Sequence, residues 1–458
     1  MMIELRRTFF VAVILAGLQG LFLVPTAGAQ EAPAVGEQEK QASSTEEAQP
    51  EDEQDVSGFS MSEGQDDPDA LLLDVQQRRT EWNSVFPASP FRSAHEASDR
   101  RKQELYEKSH IKLGGVFSHL FQWISESPLG DDDWATNSNV DAFGTWEIAN
   151  RGKPNQGQLF FHFQARWDYG TPGPEVLATY NLGSLNGTAN TYSAYIPAVI
   201  MRNLYWQQGS EKAGWAYRVG KMTPDATLAS SAHFNASTAF MPTVAFPFSI
   251  AFTDSGLGAA AAWYVNDRFK ILGLVADANA DRFNMGDITE GDFFSAIEFA
   301  AKIAPRTEKA GYSKLTIWHT DETKDGQAVN GHLGPEGWGF FIKHEQELTD
   351  DGRAIGILRY GKSYNGTAVY EKQFLAHFLL YDPANIGRLK NDLLGVGVSW
   401  AQANVDGARA ETNVEIFYRF PIFPQVDMTL SYQALINLAL DPDNDFASAF
   451  GLRLRTVF

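Results

Sequence analysis

The stretch Leu159–Tyr169 (LFFHFQARWDY) decides the fold class. Its odd-numbered positions, from Leu159 to Tyr169, are all apolar or aromatic. From the fourth residue onward, the even-numbered positions are polar: His162, Gln164, Arg166 and Asp168. Successive side chains of a β-strand point to opposite faces, so the stretch predicts a strand with one apolar face and one polar face. A strand of about ten residues is long enough, when tilted, to cross a bilayer.

The same alternation recurs along the second part of the chain. It is clear in Asp292–Ile303, Trp338–Glu345 and Glu411–Phe420. Clusters of turn-forming residues lie between such runs, for example Asp441-Pro442-Asp443-Asn444. Long alternating runs separated by turns predict antiparallel strands joined in sequence.

A soluble β-sandwich also alternates, but its strands usually have only about five or six residues. About 350 residues follow Ile111, and at roughly twenty per strand with its connection they give about sixteen strands, a usual size for an outer-membrane barrel. The chain also ends in an alternating stretch that stops on Phe458, as the last strand of such barrels typically does. The predicted fold class is therefore all-β, a transmembrane antiparallel β-barrel of about 16 strands spanning residues 111–458.

The first 29 residues have the pattern of a secretory signal peptide. Arg6 and Arg7 precede an apolar run, and Ala27-Gly28-Ala29 supplies the small residues of a cleavage site. A transmembrane helix is the alternative, but the run is short for one. We therefore expect an exported chain, cleaved near Ala29.

Two further segments precede the predicted barrel. Residues 30–69 are rich in Glu, Asp, Gln, Ser and Pro and poor in apolar residues, which predicts a disordered acidic spacer. Residues 70–110 contain two stretches of helical character, Ala70–Trp82 and Ala94–His110, interrupted by prolines. We expect these to form a short helical periplasmic segment that covers, or plugs, the larger body.

Composition excludes several functions. The chain has no Cys, so it has no disulfide, cysteine-ligated metal or thiol nucleophile. Its formal net charge of -20 argues against binding a phosphate backbone, so we expect no nucleic-acid partner. No G-x-S-x-G, HExxH or calcium-loop pattern occurs, so we expect neither an enzyme nor a metal or other cofactor.

Several stretches resemble the OprB-like carbohydrate-selective porins of bacterial outer membranes, and their order along the chain matters more than any one of them. The stretches are Tyr217–Met222 (YRVGKM), His233–Asn235 with Phe240, Val275–Ala280 (VADANA), Gly387–Gly397 (GRLKNDLLGVG), the spaced Glu411, Glu415 and Tyr418, and Ser431–Asn437 followed by Ala447–Phe458. The resemblance implies an outer-membrane channel through which small carbohydrates diffuse passively into the periplasm. It also implies contact with outer-membrane lipids and with the barrel-assembly machinery, through the strand that ends at Phe458.

Strand parity gives the candidates for the inner wall of such a channel, where polar side chains would meet the solute. They are His162, Gln164, Arg166, Asp168, Asn203, Tyr205, Arg218, Glu298, Lys302, Lys343, Glu345, Glu415 and Arg453. The segment Ser230–Ile250 is long, aromatic and does not alternate, so it is the first candidate for a constriction loop, with Phe234, Asn235 and Phe240 as its candidate residues. A plain extracellular loop is the alternative. Ala189–Pro197 is a second, weaker candidate.

Other functions stay open on the sequence alone. A general or ion-selective porin and a polysaccharide-export barrel would also place charged residues inside. A barrel-borne hydrolase and a soluble lectin-like β protein are more remote. The sequence leaves the oligomeric state, monomer or trimer, undecided.

Overall fold

The structure, a computed structural model, describes residues 59–61, 67–80, 84–87, 89–169, 173–194, 199–231, 233–286, 288–303, 310–384 and 391–458. The predicted signal peptide and the acidic spacer up to residue 58 lie outside the described residues. So does the start of the Gly387–Gly397 motif, up to residue 390.

Sixteen strands form one closed antiparallel barrel, in which each strand pairs with the next along the chain and the last pairs with the first. This confirms the predicted fold class. The first strand of the barrel begins at Ile111. The strands are β1 Ile111–Ile124, β2 Trp134–Ala149, β3 Gly157–Asp168, β4 Val199–Ser210, β5 Trp215–Met222, β6 Gly256–Asn266, β7 Phe269–Asp277, β8 Phe293–Lys302, β9 Gly311–Thr320, β10 Gly337–Glu347, β11 Ala354–Ser363, β12 Tyr370–Tyr381, β13 Leu393–Ala403, β14 Glu411–Phe423, β15 Val426–Ile436 and β16 Phe446–Val457.

Within the described residues, two helices precede the barrel. Helix α1 covers Pro68–Thr80 and helix α2 covers Arg92–Ser109. Helix α2 ends at His110, which adopts a left-handed conformation (φ 58°) and turns the chain into β1. Shorter helical turns lie in the connections: α3 Pro174–Leu177, continued by a π-helical turn at Ala178–Leu182, and 3₁₀ turns at Glu211–Ala213, Pro224–Ala226, Thr243–Ala245 and Lys324–Gly326.

None of the helices in the described ranges combines the length and the apolar character needed to cross a membrane.

The outer surface of the barrel is apolar at mid-height. Strand β14 shows the reason, because Ile416 is 47% exposed while its neighbours Glu415 and Phe417 are buried. Exposed aromatic side chains collect near both ends of the strands, as they do at the two interfaces of a membrane barrel. They include Trp123, Trp134, Trp338 and Phe446 at one end, and Trp146, Trp215, Trp263 and Phe269 at the other.

The two ends of the barrel differ in their connections. At the end that holds the C-terminus, neighbouring strands are mostly joined by short turns, and we call this the turn end. At the other end, the loop end, four long connections occur, which cover 169–198, 223–255, 278–292 and 321–336. Membrane barrels commonly have short periplasmic turns and longer extracellular loops.

One boundary differs from the sequence-based expectation. Residues up to 69 were expected to be a disordered spacer, but Phe59, Met61 and Asp67 are almost fully buried inside the barrel, with exposed fractions of 0%, 2% and 0%. The reason is local. Phe59 and Met61 are apolar residues in an otherwise acidic stretch, and Asp67 meets an arginine of the barrel wall, Arg218.

Candidate functional site

The inner side of the barrel carries the side chains that strand parity predicted there. All thirteen wall candidates lie on inward-facing positions of β3, β4, β5, β8, β10, β14 and β16. Eleven are buried, at 5% exposure or less, whereas Asp168 and Lys302 are half-buried. They are not simply hydrated, because segments of the chain pack inside the barrel against them. Whether any of them contacts a solute stays a prediction.

The structure brings three candidates together on β3 and β4. His162 Nε2 and Gln164 Nε2 lie 2.8 and 2.7 Å from the same carboxylate oxygen, Oδ1 of Asp141 on β2. Asn203 Nδ2 lies 3.5 Å from His162 Nδ1, and its Oδ1 accepts a hydrogen bond from the backbone N–H of Thr223. These side chains cross-brace adjacent strands.

Arg166 and Asp168 lie at the loop end of β3. Asp168 accepts hydrogen bonds from Asn137 Nδ2 (2.5 Å) and from the backbone N–H of Ala194 (3.1 Å), so it ties the 169–198 connection to the wall. Arg166 is 5% exposed. Lys302 lies apart from the others, at the turn end, where its Nζ is 2.7 Å from Glu211 Oε1.

A second group lies on β8, β9, β10 and β11. Glu298 accepts hydrogen bonds from the backbone N–H of Ala229 (2.7 Å) and from Thr316 Oγ1 (2.9 Å). Lys314 Nζ lies 3.9 Å from the other oxygen of Glu298 and donates to the Ser230 carbonyl at 3.0 Å. The Glu298 side chain therefore pairs with Lys314 on the neighbouring strand.

Glu345 joins two basic side chains of the wall, Lys343 at 3.0 Å and Arg359 at 3.8 Å. Lys343 also donates to the Ser230 carbonyl, and Arg359 Nη1 donates to the Ala245 carbonyl at 3.2 Å. Both basic residues thus hold the connection between β5 and β6.

On the opposite side, Glu415 and Arg453 hold the same connection. The backbone N–H of Met241 donates to Glu415 Oε2 at 3.0 Å, and Ser431 Oγ donates to Glu415 Oε1 at 2.6 Å. Arg453 donates to the carbonyls of Ala236 (2.5 Å) and Ala239 (3.0 Å).

The connection 223–255, which we call the inner loop, contains the predicted constriction segment Ser230–Ile250. Basic wall side chains donate to its carbonyls, and acidic ones accept from its N–H groups. Buried backbone groups need such partners wherever a segment without regular secondary structure crosses an interior. The charges of the wall are therefore committed largely to positioning this loop.

The three constriction candidates of the inner loop pack against other parts of the protein. Phe234 and Phe240 are 5% and 1% exposed and stack on each other, with ring centroids 5.2 Å apart. The Arg359 guanidinium lies 4.1 Å from the Phe234 ring centroid. Asn235 Oδ1 accepts from the backbone N–H of Ser237 at 2.7 Å, which closes a turn within the loop.

A titratable group of the inner loop is kept neutral by its surroundings. Burial lowers the pKa of His233, and its Nδ1 lies 3.0 Å from the hydroxyl of Tyr381. A neutral imidazole in this position can form a hydrogen bond with the tyrosine without adding a charge to the interior.

A second connection also folds inward. Residues 173–194, which we call the side loop, include the start of the weaker candidate Ala189–Pro197. The last three residues of that candidate, 195–197, lie outside the described part of the chain. Glu411 accepts from Ser184 Oγ and from the backbone N–H of Leu185. Gln433 Nε2 donates to the Thr188 carbonyl at 2.7 Å. The side loop and the inner loop touch, because Asn190 N–H donates to the Met241 carbonyl at 2.7 Å.

Sequence reasoning missed several wall residues that hold the inner loop. Arg419 Nη1 donates to the Thr238 carbonyl at 2.8 Å, and Gln373 Nε2 donates to the Val244 carbonyl at 2.6 Å. Both have the same strand parity as the residues that were found, so the alternation contained the signal. Asp67 carried no such signal, because it lies outside the barrel strands.

In the part of the chain that the structure describes, no three His, Asp or Glu side chains are grouped so that they could hold a metal ion. The interior offers hydrogen-bonding groups and aromatic faces.

Comparison with known proteins identifies the fold. No family model and no curated protein matches the chain at the level of sequence. Among solved structures, the high-pH structure of Pseudomonas putida OprB is similar with a TM-score of 0.64 and 11% identity, over 79% of this chain and 97% of that one. The chain has the fold of OprB. The low-pH structure of OprB (TM-score 0.49, 9% identity, 79% and 96% of the two chains) and a triple mutant of the Rhodopseudomonas blastica porin (0.42, 12%, 75% and 99%) also match. At 11% identity, the similarity to OprB is a similarity of fold alone.

Proposed function

We propose that this protein is an outer-membrane porin that lets small carbohydrates diffuse passively into the periplasm. The observation that carries the proposal is a closed sixteen-strand barrel that is apolar outside and charged inside, with two long connections folded into it. Apolar side chains on the outside suit lipid, and hydrogen-bonding side chains on the inside suit a hydrophilic solute. Catalysis has no part in this function.

Location and partners follow from the same argument. An exported chain with a barrel of this kind belongs in the outer membrane, where lipid would cover the exposed belt represented by Ile416. The last strand, β16, ends beside β1, where Gly115 and Phe458 exchange backbone hydrogen bonds of 3.2 and 2.8 Å. This closing strand, with its terminal aromatic residue, is the part that the barrel-assembly machinery would recognise.

The choice of carbohydrate over other solutes rests on the resemblance of the sequence to carbohydrate-selective porins and on the chemistry of the interior. Sugars bind through hydroxyl groups to charged and amide side chains, and through their apolar faces to aromatic rings. Arg359 of β11 lies beside Phe234 of the inner loop, so both kinds of group occur side by side in the interior. Binding must stay weak for the solute to leave again.

Liposome swelling tests the proposal. Proteoliposomes containing the mature chain should swell in isosmotic monosaccharides, more slowly in disaccharides and least in trisaccharides. Amino acids of similar size serve as the matched solutes. Equal swelling in sugars and in amino acids would favour a general porin, discrimination by charge alone would favour an ion-selective porin, and no swelling with any small solute would contradict diffusion through the barrel.

A further inference from the structure

Part of the chain that precedes the barrel lies inside the turn end of the barrel. The residues concerned are Phe59–Met61 and Asp67–Val75, which we call the plug segment. Phe59, Met61 and Asp67 are among the most deeply buried residues described, and α1 buries Leu71, Leu72 and Val75. None of these residues pairs with a strand, so the barrel closes without them.

Phe59 packs against the inner faces of β6, β7 and β8. Its ring lies 5.9 Å from the ring of Tyr264, and the ammonium groups of Lys302 and Lys270 lie 4.6 and 5.6 Å from its centroid. Lys270 also donates to the carbonyl of Ser60 at 3.3 Å. One aromatic side chain is therefore held by apolar packing and by two cations of the wall.

Asp67 is held by β4 and β5. Its Oδ2 lies 3.0 Å from Arg218 Nη1 and accepts a hydrogen bond from the hydroxyl of Tyr205 at 3.0 Å. Arg218 also donates to the carbonyl of Met61 at 2.8 Å. Asp67 and Arg218 are both without solvent exposure at their side chains, so each compensates the buried charge of the other.

Helix α1 continues along the wall to β1, β2 and β16, where the barrel closes. Asp74 forms an ion pair with Arg455 of β16. The apolar face of the helix packs with inward-facing residues of β1, β2 and β16, in a cluster formed by Leu71, Leu72, Val75, Val116, Phe143 and Val457. The plug segment thus contacts the wall from β16 and β1 round to β8, on about half of the sixteen strands.

We propose that the plug segment is a built-in closure of the turn end, and that it opens the channel by detaching from the wall. The inference rests on the proposed function, since a closure needs a channel. Detachment breaks the contacts of Asp67, Asp74 and Phe59 but no strand pair, because the segment joins β1 only through helix α2. The Asp67–Arg218 and Asp74–Arg455 pairs act as its two latches.

Planar-bilayer recording of the mature chain tests the latches. Asp67→Asn leaves Arg218 buried without its counter-charge, so the ratio of open to closed time should rise by at least about tenfold. Glu104→Gln, on the exposed side of α2, is the matched control because it also removes one negative charge. The control should behave as the unaltered chain does.

A cross-link tests the same closure without relying on a weakened latch. The chain has no Cys, so the double variant Asp74→Cys, Arg455→Cys contains only the two introduced thiols. Joining them with a short, reducible bifunctional thiol reagent should hold the channel closed, and reductant should restore conductance. Each single-cysteine variant, treated identically, is the control for modification without cross-linking.

The outcomes separate the plug from the channel. The plug proposal fails, while the channel stands, if two results are found together. The first is equal conductance of the unaltered chain and Asp67→Asn, and the second is equal conductance of the double-cysteine variant in its cross-linked and reduced forms. If no variant conducts, with or without reductant, the proposed function fails and the plug fails with it.

Discussion

Arg453 is an example of a single wall side chain that holds the inner loop in place. From β16 it donates to two carbonyls of the inner loop, those of Ala236 and Ala239, and it has no exposure to solvent. A methionine at this position would keep the packing but leave both carbonyls without their donor. Each buried polar group that loses its partner costs about 1–3 kcal/mol.

We therefore expect Arg453→Met to lower the stability of the barrel by about 3–5 kcal/mol, by analogy with the removal of one partner from a buried charged pair. It should also raise the noise of the open channel, because the inner loop is held less firmly. Unfolding in urea, followed by gel mobility of unheated samples, measures the first effect. Arg353→Met, at an exposed turn, is the control and should cost less than about 1 kcal/mol.

Asp69 gives the plug segment a dependence on pH. Burial in the barrel mouth and then the neighbouring Asp67 raise the pKa of Asp69 to about 6, whereas Lys112 and Arg218 oppose the rise and Glu147 adds to it. A free aspartate titrates near about pH 4. The docked segment therefore prefers protonated Asp69, and docking is strongest below about pH 4, weakens as the pH rises towards 6 and is constant above that.

Single-channel recording should accordingly show the open fraction rising between about pH 4 and pH 6. Asp69→Asn, which is neutral at every pH, should favour the closed state and lose this part of the pH dependence. An Asp69→Asn channel that keeps the full pH dependence of the unaltered chain would show that another group is responsible.

At the level of elements, glycines on the inner face allow the inner loop to lie close to the strands. A Cβ at Gly397 of β13 would come within 2.7 Å of the Phe240 ring and would also collide with the ring of His377. A Cβ at Gly361 of β11 would collide with Ser249 of the loop. Because Gly361 and Gly397 have no side chains, the inner loop has room to pack directly against β11 and β13.

Gly397→Val should therefore displace the inner loop and destabilise the protein by about 1–3 kcal/mol, the usual cost of overpacking. Gly273→Val is the matched control, because Gly273 is also in a strand but faces outward, with no atom within 4 Å of an added Cβ. The urea midpoint of the two variants checks this prediction. Equal midpoints would mean that the loop does not lie against β13.

The sequence allowed the strands to be predicted because each one has apolar side chains on its outward face. It also singled out Ser230–Ile250, since that segment breaks the alternation. It did not reveal how the loop is held, because the partners of Arg359, Arg453 and Lys343 are backbone carbonyls, which every residue has. The sequence predicted that the helical residues 70–110 cover or plug the barrel. It did not reveal that Phe59 and Asp67 are buried, because each is a single residue in an acidic stretch.

For the whole molecule, the outward face of the barrel must be compatible with lipid. Ile416 lies near the middle of β14 and faces outward. Ile416→Arg should destabilise the folded barrel in a bilayer by about 2–4 kcal/mol. Thr412→Arg, nearer the loop end of the same face, should destabilise it by about 0–1 kcal/mol. Equilibrium refolding into vesicles at increasing urea measures both. Similar costs at the two positions would place Ile416 away from the bilayer centre.

The most direct test of the central claim is the accessibility of spin labels along β14 in lipid vesicles. Single cysteines at residues 413 to 418, each carrying a nitroxide, report contact with oxygen dissolved in the bilayer. We expect high oxygen accessibility at 414, 416 and 418 and low accessibility at 413, 415 and 417, a period of two. Uniform accessibility along the strand, or a protein that stays dissolved without lipid or detergent, would contradict the membrane barrel and the channel function that depends on it.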